Sequence, residues 1–160
     1  MSFVAAPPAQ DAPPIGDAVA GDDWWPALSI AAFRASIDVP TAVPPRRVAE
    51  ALLGGFISVD SELAAWRATQ EAAGITQLQD VPGPINRKIG GEPRLVALWR
   101  RAVHAYAASD LADTQSDISA TNDGRARHEE RASGAGEHQR QATVAIRDFL
   151  GRRRSRVRLQ

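Results

Sequence analysis

The side chains best equipped for acid–base or metal chemistry in this 160-residue chain are His104, His128 and His138, together with the acidic pair Glu129-Glu130. None of them completes a site. His128-Glu129 begins like the metalloprotease pattern, but the second histidine required four residues after the first is missing, and Ala132 stands there. The three histidines lie in helical contexts without a second ligand type at a favourable spacing, so no metal site is expected. Gly90-Gly91 lacks the following Lys and Ser/Thr that a phosphate loop uses to hold a nucleotide. Glu129-Glu130 falls on a polar face where charges are ordinarily solvated, and no nucleophile is matched to a base. These patterns point away from an enzyme, and no cofactor is implied.

Two other groups are placed for contact rather than catalysis. Arg152, Arg153, Arg154, Arg156 and Arg158 crowd the last nine positions. From Arg154 onward they alternate with Ser155, Val157 and Leu159, which in an extended strand puts charge on one side and apolar groups on the other. Near the other end, Trp24-Trp25 brings together two indoles that are costly to leave in water. They are expected to anchor the N-terminal segment on its own domain or on a neighbouring subunit. Net charge is zero, yet the first 33 residues carry Asp11, Asp17, Asp22 and Asp23 and no basic residue, so the two ends are oppositely charged.

The elements between these ends read as helices. From Pro44 to Gly74, Val48, Leu52, Phe56, Val59, Leu63, Trp66 and Ala73 recur at spacings of three, four or seven, which is one helical face. Pro44-Pro45 suits the first turn, Gly74 suits a left-handed cap, and Gly54-Gly55 marks a place where the helix can kink. Ser29 to Ser36 reads as a short helix capped by Ser29. Gly74 to Gly91 reads as a loop, with Ile85 to Ile89 alternating as a short strand or hairpin arm would. Glu92-Pro93 suggests the start of a second long helix reaching about Leu111. Asp113 to Gly124 reads as loop. Helix resumes from about Arg125 to Leu150, with Gly134 and Gly136 as candidate breaks and Gly151 as cap. The fold class expected is all-α, a small bundle of three to four helices. Its core is expected to include Val48, Leu52, Leu63, Trp66, Leu98, Trp99, Ala102, Tyr106, Ile146 and Phe149. An extended Ala/Pro-rich arm (1–26) and an extended Arg-rich tail (152–160) flank a helical domain (27–151). The arm, Met1 to Asp23, is expected to be mobile in the free chain and ordered only in an assembly.

The long helix and the turn after it carry a resemblance. Ser61-Glu62-Leu63, Trp66-Arg67, Ala72-Ala73-Gly74, Ile75-Thr76, Leu78 and Asp80-Val81-Pro82 follow the pattern of the head completion/stabilisation protein of contractile-tailed phages, the gpL family. Asp38 to Pro40, Arg46 to Glu50, Gly91-Glu92 and Arg101 to Val103 extend the likeness from roughly Trp25 to the C-terminus. The resemblance implies a head–tail connector that binds the portal protein after DNA packaging. It also implies that neighbouring copies form a ring, twelve by family resemblance, and present a surface to a neck or tail-terminator protein. The location implied is the head–tail junction of a virion made in the host bacterial cytoplasm, with a possible contact to packaged DNA. In this reading Arg152, Arg153, Arg154, Arg156, Val157, Arg158 and Leu159 form the portal-binding tail, and Trp24 and Trp25 a subunit-contact arm.

The alternative is a nucleic-acid-binding module acting through the five tail arginines. Against it, the rest of the chain has 14 basic and 19 acidic residues, a formal charge of −5, and shows neither a recognition helix nor an aromatic stacking platform. No apolar run approaches the roughly 18 residues of a membrane span, so no membrane partner is expected. The absence of cysteine suits a reducing compartment.

Overall fold

The computed structural model describes residues 16–19, 21–37, 39–116 and 122–152, the side chains of 114–116 and 122–133 excepted. In chain order these form β1 (Ala18–Val19), β2 (Leu28–Ser29), α1 (Ile30–Ser36) and α2 (Pro45–Ala72). Two 3₁₀ turns follow (Leu78–Asp80 and Pro84–Asn86), then β3 (Lys88–Ile89), β4 (Glu92–Pro93), α3 (Arg94–Ser116) and α4 (Asn122–Phe149). The chain is mostly helical, with β1–β2 and β3–β4 as two short antiparallel ladders. Helix α3 lies at the centre, packed by α2 and by α4.

The ends of α2 follow from its sequence. Pro44 takes the N-cap in extended conformation and Pro45 the first helical position, where no amide donor is needed. At the other end Gly74 adopts φ 83°, and the amides of Gly74 and Ile75 donate to Glu71 and Gln70 carbonyls at 2.9 and 3.1 Å. That is a Schellman cap, and Ile75 just beyond it packs against the core. The helix runs uninterrupted through Gly54-Gly55. Gly55 is there for closeness: a Cβ on it would lie 2.6 Å from the Val103 carbonyl oxygen of α3. Ser29 caps α1 as expected, accepting from the Ala32 amide at 3.0 Å.

The loop before α3 is more structured than its sequence suggests. Glu92-Pro93 does not open the helix but forms β4, and Gly90 and Gly91, at φ 64° and 86°, make the turn back from β3. A two-residue hairpin turn of this hand needs positive φ at both positions, which explains the glycine pair. Glu92 instead accepts two hydrogen bonds from the Arg100 guanidinium, at 2.5 and 2.6 Å. The first turn of α3 is satisfied by Asn86, whose Oδ1 accepts from the Leu95 amide at 3.1 Å. Asn86 Nδ2 donates to the carbonyls of Leu78, Gln79 and Val81, so one buried amide joins the 3₁₀ turn to the helix start.

Helix α3 also continues to Ser116, beyond the end expected near Leu111, and α4 begins at Asn122, so the loop expected over 113–124 is shorter. Gly134 and Gly136 do not break α4. Tertiary packing overrides their low helix propensity: Ala135 between them is buried, and its carbonyl accepts from Ser109 Oγ of α3 at 3.2 Å.

Seven of the ten expected core residues are buried, whereas Trp66, Leu98 and Tyr106 are only partly so. Trp66 packs its ring against Trp24 and Phe149, and Tyr106 turns its hydroxyl outward to donate to Glu62 Oε1 at 2.5 Å. The arm boundary expected at residue 26 also moves. Ala18 pairs with Ser29 and Val19 with Leu28, and the Ile30 amide donates to the Asp17 carbonyl, so residues 17–19 and 21–26 belong to the body. Residues 1–15 lie outside the described residues.

Candidate functional site

Trp24 and Trp25 are held by an acid–base cluster rather than left for a neighbour. Asp22 Oδ1 accepts from their backbone amides at 3.1 and 2.7 Å, turning the chain so that both indoles enter the core. Trp25 Nε1 donates to Asp60 Oδ1 at 2.7 Å, and its ring stacks on Trp99 with centroids 5.5 Å apart. Trp24 meets Trp66 edge-on at 5.8 Å and lies under the Arg67 guanidinium, 5.4 Å from its ring centroid. Arg67 also pairs with Asp22, with Asp60 at 3.4 Å and with Glu71 at 2.7 Å. Burial pushes the Asp22 carboxyl up, but the Trp25 amide, Arg67 and the Trp24 amide outweigh it and hold it below its ordinary value.

With only 4% and 1% of their surfaces exposed, Trp24 and Trp25 are unavailable as a subunit-contact arm, which corrects that expectation. Their area is buried within the chain itself, where α2 and α3 provide an apolar slot. The Trp66-Arg67 pair of the sequence pattern thereby acquires a structural role, fixing residues 22–25 onto α2. Leu78 of the following turn joins the same knot, its amide donating to the Trp24 carbonyl at 3.1 Å. An open cleft of about 430 Å³ remains beside it, lined by Asp22, Trp24, Arg67, Glu71 and Thr76.

His104 and His138 do not converge. His104 is buried on α3, with Nδ1 3.1 Å from Ser36 Oγ and its ring edge-on to Phe33 at 5.1 Å. Burial, aided by the Arg100 charge, pushes its pKa down to about 4, so it is neutral near pH 7. His138 lines a separate small cleft with Ile37, Val39 and Leu111. The side chain of His128 lies outside the described residues. Among the described residues no three His, Asp or Glu side chains group as a metal site, and no helix is long and apolar enough to cross a membrane.

The surface offers two features fit for partners. Leu53 and Ile57, one turn apart on the side of α2 away from α3, are 47% and 56% exposed. Ile89 at the tip of the β3–β4 hairpin is 54% exposed. Of the tail residues, Arg152 is exposed and follows a second Schellman cap: Gly151 at φ 67° donates to Asp148 at 3.3 Å, and Arg152 to Arg147 at 2.9 Å. Arg153, Arg154, Arg156, Val157, Arg158 and Leu159 lie outside the described residues. The strand or hairpin arm expected over Ile85 to Ile89 is present only as Lys88–Ile89, and its partner Glu92–Pro93 was expected to open a helix instead.

Comparison with known proteins gives two matches and one absence. Residues 19–159 match the family model described as phage head completion protein (GPL). A head completion/stabilization protein of Escherichia phage P2 is 30% identical over 123 residues, covering 77% of this chain and 69% of that relative. No solved structure matches.

Proposed function

The chain belongs to the phage head completion protein (GPL) family, a family of virion structural proteins, and from that premise we propose that it acts at the portal vertex. In this reading it binds the portal protein after DNA packaging, assembles there as a ring of copies and presents a docking surface to a neck or tail protein. The observation that carries the reading is the finished end of α4. Its cap, completed by the Arg152 amide, satisfies the last helical carbonyls within the body, so the chain leaves the helix at an exposed Arg152 and closing the helix needs nothing after it. A segment so placed suits capture by strand addition or insertion between portal subunits. The exposed Leu53–Ile57 face supplies apolar surface for a neighbouring copy. Multivalency then makes each weak contact effective only where many copies meet.

Truncation after Arg152 tests this directly, since it keeps the amide that closes the α4 cap. The truncated chain is expected to keep its helical signal and melting temperature while losing attachment to purified portal, and heads completed with it should leak DNA. Unchanged portal affinity would move the docking role to another part of the chain.

A further inference from the structure

Two described surfaces of the chain are complementary in charge, and a single copy does not bring them together. The first is the β3–β4 hairpin, which exposes Arg87, Lys88 and Ile89. Among the described residues neither of these cations pairs with a carboxylate. Gly90 and Gly91, both at positive φ, hold the turn, so its shape is set before any contact forms. The second is the open cleft of about 430 Å³ between residues 22–24 and the end of α2. Its lining sets the carboxylates of Asp22, Asp23 and Glu71 against one guanidinium, that of Arg67. Arg67 is already shared by Asp22 and Glu71, whereas Asp23 is exposed and meets no cation among the described residues. Ile75 adds an apolar side to the cleft. Trp24 lines it as well, and the buried Nε1 of that indole has no hydrogen-bond partner among the described residues.

We propose that the hairpin of one copy docks in the Asp22–Glu71 cleft of a second copy, with Lys88 against Asp23 and Ile89 against Ile75. The inference deepens the ring of copies in the function proposed above and rests on that part of it, not on portal contact. An inserted turn supplies what the cleft is short of: a cation for its excess carboxylates, and backbone carbonyls as acceptors for an indole N–H. A second copy is the occupant that charge favours, because one sequence then contains both halves of the contact. The two halves are different surfaces, so the contact is heterologous. Each copy uses its hairpin on one neighbour and its cleft on the other, an arrangement that closes into a ring when the rotation allows. A contact this small is weak singly and holds where many copies are gathered.

Lys88 is the only lysine in the chain, so zero-length carbodiimide coupling, which joins an amine to a carboxylate touching it, reads this contact directly. Equal amounts of isotope-labelled and unlabelled full-length chain are coupled, both free at high concentration and mixed with purified portal, and the linked peptides are mapped by mass. The expected product joins Lys88 of one copy to Asp22, Asp23 or Glu71 of another. Its absence from both samples, or links from Lys88 to other carboxylates alone, overturns the inference. Charge exchange is the second arm. Lys88→Glu and Asp23→Lys, both at exposed positions, are each expected to weaken self-association by about tenfold, and the chain carrying both to recover to within about threefold of wild type. Losses that simply add in the double variant also overturn the inference. Portal affinity keeps the two readings apart: portal binding without the Lys88 link removes the hairpin contact and leaves the portal reading, whereas the link without portal binding does the reverse. Binding of a roughly 30-bp duplex at about 0.15 M salt that Lys88→Glu abolishes, with self-association unchanged, would give the hairpin to nucleic acid instead.

Discussion

Where residues 22–28 meet the bundle, the core is aromatic: Trp25 stacks on Trp99, Phe56 meets Trp99 edge-on, and Trp66 meets Phe149 at 4.7 Å. From Ala102 onward along α3 the buried residues are mostly small, Ala102, Ala105, Ala107, Ala108 and Ser109 beside Val103 and His104, and α4 contributes Ala135, Ala142 and Ala145. The first region gains its stability from large areas removed from water, on the order of 150–250 Å² per ring. The second gains it from close approach of backbones, with Gly55 performing the same service between α2 and α3. One region is therefore sensitive to lost volume and the other to added volume.

The largest effect is expected from subtraction at the aromatic end. Trp99→Ala should lower unfolding free energy by about 3–5 kcal/mol in a denaturant titration, and Trp66→Ala by clearly less, because Trp66 is only partly buried. Equal losses would show that the stack does not distinguish the two indoles.

Acid sharpens the comparison next, through His104 at the edge of the alanine region. Its folded pKa is about 4 against 6.5 for the ordinary side chain, so unfolding allows it to take up a proton between those values. Its contribution is complete above pH 6.5, declines as pH falls, and is spent near pH 4, for a total on the order of 3 kcal/mol. A His104→Gln chain should accordingly show a smaller fall in urea midpoint between pH 7.5 and 4.5 than wild type. An equal fall would show that His104 does not carry the acid sensitivity in this range.

Addition of one methyl group separates the neighbouring glycines. Gly55→Ala should cost about 1–3 kcal/mol, because the new Cβ meets the Val103 carbonyl. Gly54→Ala meets open space and should stabilise by about 1 kcal/mol through helix propensity, so thermal melting of the two variants should diverge in sign. The smallest effect belongs to Ile57→Ser, which should change stability of the isolated chain by less than about 0.5 kcal/mol while weakening self-association.

The helix periods made α1, α2 and the second half of α4 readable from residue spacing, because burial on one face leaves a repeating signature. The caps at Ser29, Gly74 and Gly151 were readable for local reasons as well. Of the hairpin around Gly90-Gly91 only the first arm was readable, since Glu92-Pro93 satisfies the local rules of a helix start and only pairing with Lys88-Ile89 decides otherwise. Nor could spacing show that Gly134 and Gly136 would be tolerated, as their cost is offset by a partner helix distant in sequence. Trp24-Trp25 illustrates the same gap at the candidate site: adjacent indoles announce burial, but whether the slot belongs to the same chain or to a neighbour depends on Asp22, Asp60 and Arg67 converging from two segments. Asn86 joined to three carbonyls and the Leu95 amide has no sequence signature at all.

Attachment to the portal is the central claim, and negative-stain imaging of the purified full-length chain mixed with purified portal tests it most directly. The account predicts class averages in which an added ring caps one face of the portal, absent when the chain is truncated after Arg152. Portals that remain bare in the presence of full-length chain, with the chain separately shown to be folded, would contradict it.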